Sequence, residues 1–494
     1  MPNLIPDQRT PFFPAWLARL APMGRRTADL GHQLRSHTLC QLEVCLAPWL
    51  PTDLFPKASA NENSRDRHYT RWRTFWCMIW QCLNPDASGR EVVRQLQALC
   101  RLEKAPLLSD EDGAYCRAKA RLPLAEFPKA LAASAQAADR LVPAGATLGK
   151  RPLKAIDGSA LTLADTPKNR KTYPPLQCPA GPSFPMVRVV VLFSMLSGAI
   201  LAVAQGSLAA AELSLFASLA GQLHAGDIIV GDRGFGSYPV IAWLKHHLSV
   251  DFIGRTTRRV DGRQRLKRLG TDDWLLLWKP GASVSSPWLS AEQREQQPAQ
   301  MIVRAIKGRC QQKGFRVRQL TVVTTLLDPV LYPAEQILAA YLRRWRLEMC
   351  LDDLKTTLKM DTLRGRTPAM VQKEIYARLI AHNLIRCVAA QAAGQGAVPL
   401  ERISFKGTLD ALRHYSQAMS RARGKRKRQE LWAGLLQTLA ADLVPVRPGR
   451  REPRAVKRKK NKYPRLNTAR KDYQDRPKRH VRRKTARLQK LGLM

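Results

Sequence analysis

Two aspartates and one glutamate carry the most specific chemical signal in this chain. Asp157 stands in Ala-Ile-Asp-Gly-Ser, Asp232 in Ile-Val-Gly-Asp-Arg-Gly-Phe, and Glu348 in a stretch from Tyr341 to Lys355 with the spacing Y-x2-R-x3-E-x6-K. At roughly 100° per residue, Tyr341, Arg344, Glu348 and Lys355 fall within an arc of about 60° on one helix face. Leu347, Leu351, Leu354 and Leu358 form the adjacent strip, the side that buries. Three convergent carboxylates suit two divalent metal ions held about 3.5–4 Å apart. One ion would activate a water or a 3′-hydroxyl, and the other would stabilise the leaving oxygen of a phosphodiester. Oxygen ligands and a phosphate substrate favour Mg²⁺, with Mn²⁺ a substitute. Arg344 and Lys355 would grip neighbouring phosphates, and Tyr341 would bond a phosphate or stack on a base. Alone, each aspartate reads as a turn or cap residue, and Arg344–Glu348 as a routine i,i+4 pair. The matched positions favour a site.

The elements that must position these acids follow from patterning. Pro152–Ile156 is a candidate strand ending just before Asp157, and Val187–Leu196 and Ala199–Ala204 are two more, joined at Ser197-Gly198. Ala209–Leu223 has helical spacing. Asp227–Val230 makes a fourth strand ending just before Asp232, Tyr238–Leu248 a helix, and Val250–Arg255 a fifth strand. Three meandering strands, then helix, strand, helix and strand, is the order of a ribonuclease-H-like α/β core, in which the first and fourth strands are neighbours. Candidate strands at Trp274–Trp278, Met301–Ile306 and Val317–Leu326 then interrupt it. A long helix from near Pro333 to about Leu358 carries the glutamate, and helices from about Val371 to Ala393 and Leu409 to Ala441 follow. The expected organisation is a helical N-terminal DNA-binding region (1–148), core (149–255), β-rich insertion (256–334), core with the glutamate helix (335–400), C-terminal helices (401–446) and a disordered basic tail (447–494).

Charge points to the partner. The 494 residues carry 82 Lys+Arg against 39 Asp+Glu, a net charge of +43, which calls for a polyanion, and nucleic acid is the usual one. Twenty basic residues against three acids lie in the tail, suited to nonspecific backbone binding. In the N-terminal region Ser88-x-x-Glu91 reads as a capping box. Arg71 and Arg73 interleave with aromatics there, and Arg117, Lys119 and Arg121 share one helix. The longest apolar stretch, Val189–Ala204, is interrupted and short of the ~20 residues a bilayer requires, so no membrane role is expected. No signal peptide is evident, which implies a cytoplasmic chain with its ten scattered cysteines as buried, inert thiols. The glycines at 231, 234 and 236 are out of register for dinucleotide binding. His246-His247 reads as an exposed helix end and Asp227 as a strand-entry turn. Asp352 and Asp353 are expected to face solvent, with Asp352 a substitute ligand if the helix phase differs.

The chain resembles the DDE transposases of the insertion sequence 4 family. The likeness rests on Ile156-Asp157-Gly-Ser with Asp165-Thr-Pro-Lys-Asn169, Gly231-Asp232-Arg-Gly-Phe, Thr324-Thr-Leu-Leu-Asp328 and the intact Tyr341-to-Lys355 signature. Weaker likeness runs through His68-Tyr-Thr-Arg-Trp72, Asn84-Pro-Asp-Ala-Ser88 and Arg402-Ile-Ser-Phe-Lys-Gly407; Ser159 replaces a common threonine. The resemblance implies cut-and-paste movement of an insertion sequence by a homodimer that pairs two ends of double-stranded DNA. It implies Asp157, Asp232 and Glu348 as catalytic metal ligands. Some members form a DNA hairpin aided by a flipped base on an insertion tryptophan, for which Trp274, Trp278 and Trp288 are candidates here, each with a core role as the plainer reading. Two alternatives remain: a catalytically silent DNA-binding protein derived from a transposase, and a ribonuclease-H-like DNA nuclease without joining activity.

Overall fold

The computed structural model describes residues 42–56, 69–102, 108–143, 147–175, 177–178, 181–256, 264–281, 286–309, 319–422 and 424–445. The basic tail, the first forty-one residues and His68 lie outside the described residues.

After a single helical turn at Leu42–Leu46, four longer helices follow among the described residues: α1 (Arg71–Leu83), α2 (Gly89–Leu102), α3 (Gly113–Arg121) and α4 (Glu126–Arg140). Thr70 caps α1 by accepting from Arg73 N, and Ser88 accepts from Glu91 N as a cap should. The chain then enters β1 (Leu153–Thr162), a short helix α5 (Pro167–Thr172), and the hairpin of β2 (Met186–Ser194) and β3 (Ile200–Ser207). The β2 run Met-Val-Arg-Val-Val-Val-Leu-Phe-Ser is β-branched and almost wholly buried, as a strand covered on both faces must be. Gly198, at φ +74°, makes the turn between them. Next come α6 (Glu212–Ala217), β4 (Ile228–Gly231), α7 (Tyr238–Ala242) and β5 (Asp251–Gly254), followed by β6 (Arg265–Gly270), β7 (Asp273–Trp278), β8 (Met301–Arg309) and β9 (Gln319–Thr324).

These nine strands form one sheet in the order β3-β2-β1-β4-β5-β9-β8-β7-β6. β3, β2 and β1 are antiparallel, while β1–β4 and β4–β5 are parallel. Side chains alternate between two apolar layers. Leu153, Ala155, Val191, Val230 and Ile253 face the helices around the glutamate, whereas Ile156, Val190, Ile229 and Phe252 face α6 and α7. The result is a mixed α/β fold with helices on both faces of the sheet.

Several expectations are corrected. The first strand does not stop at Ile156, because β2 pairs with it as far as Thr162↔Met186; Asp157 therefore lies within β1, opposite Val191. Cross-strand pairing here overrides the weak strand preference of Gly158 and Ser159. The strands of 256–334 extend the core sheet, since Val323 and Thr324 of β9 pair with Gly254 and Ile253 of β5. The segment Ala209–Leu223 is helical only over α6 and a 3₁₀ turn at Ala220–Gln222. Leu409–Ala441 is a hairpin of α11 (Phe405–Arg421) and α12 (Lys425–Ala441), broken near Gly424 at φ +81°. Cys116 is exposed, unlike the buried thiols of Cys77, Cys82, Cys350 and Cys387.

The glutamate helix itself is three segments: α8 (Ala334–Arg343), α9 (Trp345–Asp352) and a π-helical turn, Asp353–Thr357. At the first junction the winding tightens, with Arg344 N bonding to Tyr341 O and Leu347 N to Arg344 O. At the second it widens, with Leu358 N reaching Asp353 O five residues back. The single straight arc expected for Tyr341, Arg344, Glu348 and Lys355 is thus interrupted twice. Such π turns interrupt helices at functional places more often than elsewhere. Beneath them runs α10 (Pro368–Gln395), buried on nearly every side, and capped by Thr367.

A buried ion pair anchors the outer strands to this helix. Arg304 on β8 is 0% exposed and grips Asp273 on β7 through Nε–Oδ1 (2.9 Å) and Nη2–Oδ2 (2.6 Å). Its Nη1 donates to Tyr332 O at 2.7 Å, in the turn that leads into α8. Arg304→Leu should cost about 3–5 kcal/mol, because it leaves a carboxylate buried without its partner. Adding Asp273→Ala should restore much of that loss in urea denaturation; a neutral single variant would contradict the anchoring role.

Asp353, expected to face solvent, is half-buried and titrates at about 6. Burial raises it, Arg386 lowers it, the neighbouring Asp352 raises it and Thr357 lowers it. A folded value above the unfolded one, about 3.9, means the folded chain holds a proton the unfolded chain releases. Stability from this group therefore falls as pH rises from about 4 through about 6. Asp353→Asn should be the more stable protein at pH 7 by about 1–2 kcal/mol, after discounting for solvent screening. The gain should vanish near pH 4; an equal gain at both pH values would contradict it.

Candidate active site

The parallel pairing of β1 and β4 sets the two aspartates at the same end of neighbouring strands. Leu153 pairs with Ile228 and Ala155 with Val230; Asp157 lies two residues further along β1, and Asp232 directly follows the end of β4 at Gly231. Asp157 takes the parity of Leu153 and Ala155, which face the glutamate helix. Each aspartate is steadied by local backbone. Asp157 Oδ1 accepts from Gly158 N at 2.8 Å, and Asp232 Oδ1 accepts from Gly234 N at 2.8 Å and Phe235 N at 3.4 Å.

Glu348, on α9, completes the group. Its Oε1 accepts from Arg344 Nη2 at 3.1 Å. The fields of these residues overlap at Asp157, whose carboxyl is raised above its ordinary value by burial first. Gly158 N–H and the Arg344 cation pull it down, while Asp232 and Glu348 push it up. Asp157 thus senses both other acids and the Arg344 cation. Arg344 is held in its charged form against burial by Tyr341 and Glu348.

The remaining signature residues divide. Tyr341 is buried in the core, with the Arg344 guanidinium 5.8 Å from its ring centroid, so it presents no free face for a base. It helps to hold Arg344 in its charged form. Lys355 lies in the π turn, half-buried, and no interaction joins it to the acids. Of the three tryptophans, Trp278 is buried edge-on against Tyr238 and Trp288 packs edge-on against Trp243, both at 5.5 Å. Trp274 is half-buried, with Arg265 at 4.4 Å and Lys307 at 5.2 Å from its ring centroid.

Whether the acids suit a divalent cation is decided by their oxygens. Among the described residues no three acidic, histidine or cysteine side chains are gathered tightly enough to form a ready metal cluster. Yet Asp157, Asp232 and Glu348 each commit one oxygen to a hydrogen bond and leave the second without a partner among the described residues. Those are hard donors of the kind Mg²⁺ and Mn²⁺ take. The donor set fits such an ion chemically.

Residues that patterning alone did not assign hold the arrangement together. Thr162 N donates to Asp361 O (3.0 Å) and Leu363 N to Thr162 O (2.8 Å), tying the end of β1 to the segment that follows the glutamate helix. Asn169, wholly buried, donates through Nδ2 to Ala164 O and Gly365 O, both at 2.9 Å, and Thr166 Oγ1 donates to Arg366 O at 2.9 Å. A Cβ on Gly365 would meet Val371 N at 2.7 Å, so only glycine fits there. From the same segment Arg364 donates to the carbonyls of Ala87 and Pro85, and Lys359 pairs with Asp86. The motifs Asp165–Asn169 and Asn84–Ser88 therefore brace the helix that carries Glu348. They stood out in the sequence only as parts of the family likeness, because partners 196 to 279 residues away leave no local signal.

Residues 148–384 match the transposase DDE domain family, a span that contains all three acids. The transposase InsG for insertion sequence element IS4 of Escherichia coli (strain K12) is 23% identical over 432 residues, covering 85% of this chain and 93% of that one. Among solved structures, the piggyBac transposase in a synaptic complex with hairpin DNA, determined by cryo-EM, has a TM-score of 0.37 and 9% identity, covering 84% of this chain and 85% of that one. The family match and the alignment along most of both sequences lead to one conclusion: the chain belongs to the DDE transposases of the insertion sequence 4 family.

Proposed function

We propose that this protein catalyses cut-and-paste transposition, cleaving the ends of an insertion sequence and joining them to target DNA. The observation that carries the reading is the convergence of Asp157 on β1, Asp232 just past the neighbouring β4 and Glu348 on the glutamate helix, the latter two acids both acting on the Asp157 carboxyl. These three residues would hold a pair of divalent cations, Mg²⁺ or in its place Mn²⁺. Bound there, the ions supply Lewis acidity at the scissile phosphodiester and an activated water or 3′-hydroxyl. Arg344 restrains Glu348 and offsets the accumulated negative charge. With Glu348 turned to a cation, its guanidinium is released toward a phosphate oxygen. Tyr341 sets the position of Arg344 from the core, and Lys355 offers an ammonium to a flanking phosphate.

The domain reading follows from the same premise. Residues 149–255 and 335–400 form a ribonuclease-H-like core, a reading supported by the order β3-β2-β1-β4-β5 with its antiparallel and parallel halves. Residues 256–334 are the β-rich insertion, and 1–148 a helical DNA-binding region that recognises the element ends. Residues 401–446 form the C-terminal helical region, and the tail from 447 binds DNA backbone. The partners are double-stranded DNA and a second copy of the chain. Among the described residues no helix is long and apolar enough to cross a membrane, and we place the protein in the cytoplasm on DNA.

The test incubates purified protein with Mg²⁺, a plasmid target and DNA carrying the element's own ends. Wild type should yield cleaved ends and joined products. Asp157→Ala, Asp232→Ala and Glu348→Ala should each bind ends yet lose cleavage by about 10³-fold or more, equivalent to several kcal/mol of barrier. Cleavage without joining by the wild type would instead support the nuclease alternative, and full activity of any one variant would remove that residue from the site.

A further inference from the structure

Arg343 and Arg344 are consecutive, yet they serve opposite sides of the α8–α9 junction. Arg344 turns to Glu348. Arg343 lines a cleft of about 630 Å³ and an adjacent one of about 250 Å³. The two share the walls formed by Met195, Leu196, Arg343, Arg346, Leu400 and Glu401.

The cations on these walls are unequally matched. Arg346 pairs with Glu401 at 3.0 Å, Arg386 donates to Ser197 O at 2.7 Å, and Lys406 pairs with Asp410. Asp353, the other acid on the wall, lies in the field of Arg386. Arg343 has no hydrogen bond or ion pair among the described residues, and its Nε is buried without an acceptor. Burial disfavours its charge, the like charge of Arg346 adds to that, and Glu401 opposes them. A guanidinium withdrawn from water beside a second one, on a shared wall completed by Met195, Leu196, Leu400 and the single acid Glu401, is a site short of negative charge. One carboxylate already serves Arg346. What the pair still lacks is an anion with several oxygens, able to meet a planar fork of donors.

We propose that this cleft binds a phosphate group, with Arg343 taking its anionic oxygens and Arg346 holding its rim, on the far side of the glutamate helix from the triad. The group arrives either as a phosphodiester of DNA or as free phosphate. Only the DNA source rests on the transposase reading.

Two measurements on the full chain test the proposal. In the first, thermal unfolding is followed in sodium phosphate and in sodium chloride at equal ionic strength. Wild type should gain stability in phosphate, Arg343→Gln should lose most of that gain, and Arg343→Lys should keep part of it. In chloride, Arg343→Gln should be no less stable than wild type, since it removes an unmatched charge. In the second, duplex binding without Mg²⁺ is measured against salt concentration. A slope of log K on log salt that is smaller by about 0.9 in Arg343→Gln assigns the site to a DNA phosphate. An unchanged slope with a lost phosphate response assigns it to free phosphate. A wild-type response in both measurements overturns the proposal. Should Arg343→Gln fail to fold, Arg346→Gln, on the exposed rim, gives the same two readings. Neither measurement uses cleavage, so failure of the transposase reading leaves the free-phosphate outcome standing.

Discussion

Like charges resist being brought together, and the centre of this protein depends on doing so. Asp232 and Glu348 each raise the cost of ionising Asp157, and burial adds to it. Left to themselves such groups separate or take up protons. Here they are restrained by a β-ladder, by backbone N–H groups that donate to the aspartate oxygens, and by Arg344, which pairs with Glu348 as an internal counter-ion. A site that repels its own members has a standing demand for cations, which gives a set of acids its affinity for divalent metal.

The scaffold is organised to keep that repulsion from pulling the site apart. Asp157 lies inside β1, paired there with Val191 of β2 and not at a free end, so it cannot drift without breaking that ladder. Glu348 is carried by a helix that is braced at both ends. Upstream, Arg304 locks the turn before α8 to the outer strands through Tyr332 O and Asp273. Downstream, Thr162 and Asn169 hold the chain after the π turn against β1 and its following loop. The two halves of the site thus report to one sheet, although nearly two hundred residues separate them in sequence.

Much of this was legible in the sequence, and what was hidden has physical reasons. The acids announced themselves because each stands in a local pattern: an apolar β run closing on Asp-Gly or Gly-Asp, and a helix with polar groups repeating on one face. The outer strands over 273–324 were likewise visible from their apolar runs. Their joining to β5 was not, since pairing across some seventy residues depends on a register no local pattern encodes. The extent of β1 was missed because Gly158 and Ser159 have little intrinsic preference for strand and owe their conformation to β2. The breaks in the glutamate helix were invisible because no local pattern from Arg343 to Thr357 marks where the winding tightens or widens. Tyr341 was read as a group that would bond a phosphate or stack on a base, whereas it is buried in the core.

The most direct test of the central claim is a count of cations at the three acids. Mn²⁺ binding to the full chain in complex with its end DNA can be followed by electron paramagnetic resonance, with Asp157→Asn, Asp232→Asn and Glu348→Gln measured alongside wild type. If the three carboxylates share ions, wild type binds Mn²⁺ saturably and each substitution weakens that binding by about tenfold or more. Wild-type affinity and stoichiometry in all three variants would show that these oxygens do not meet at a common metal.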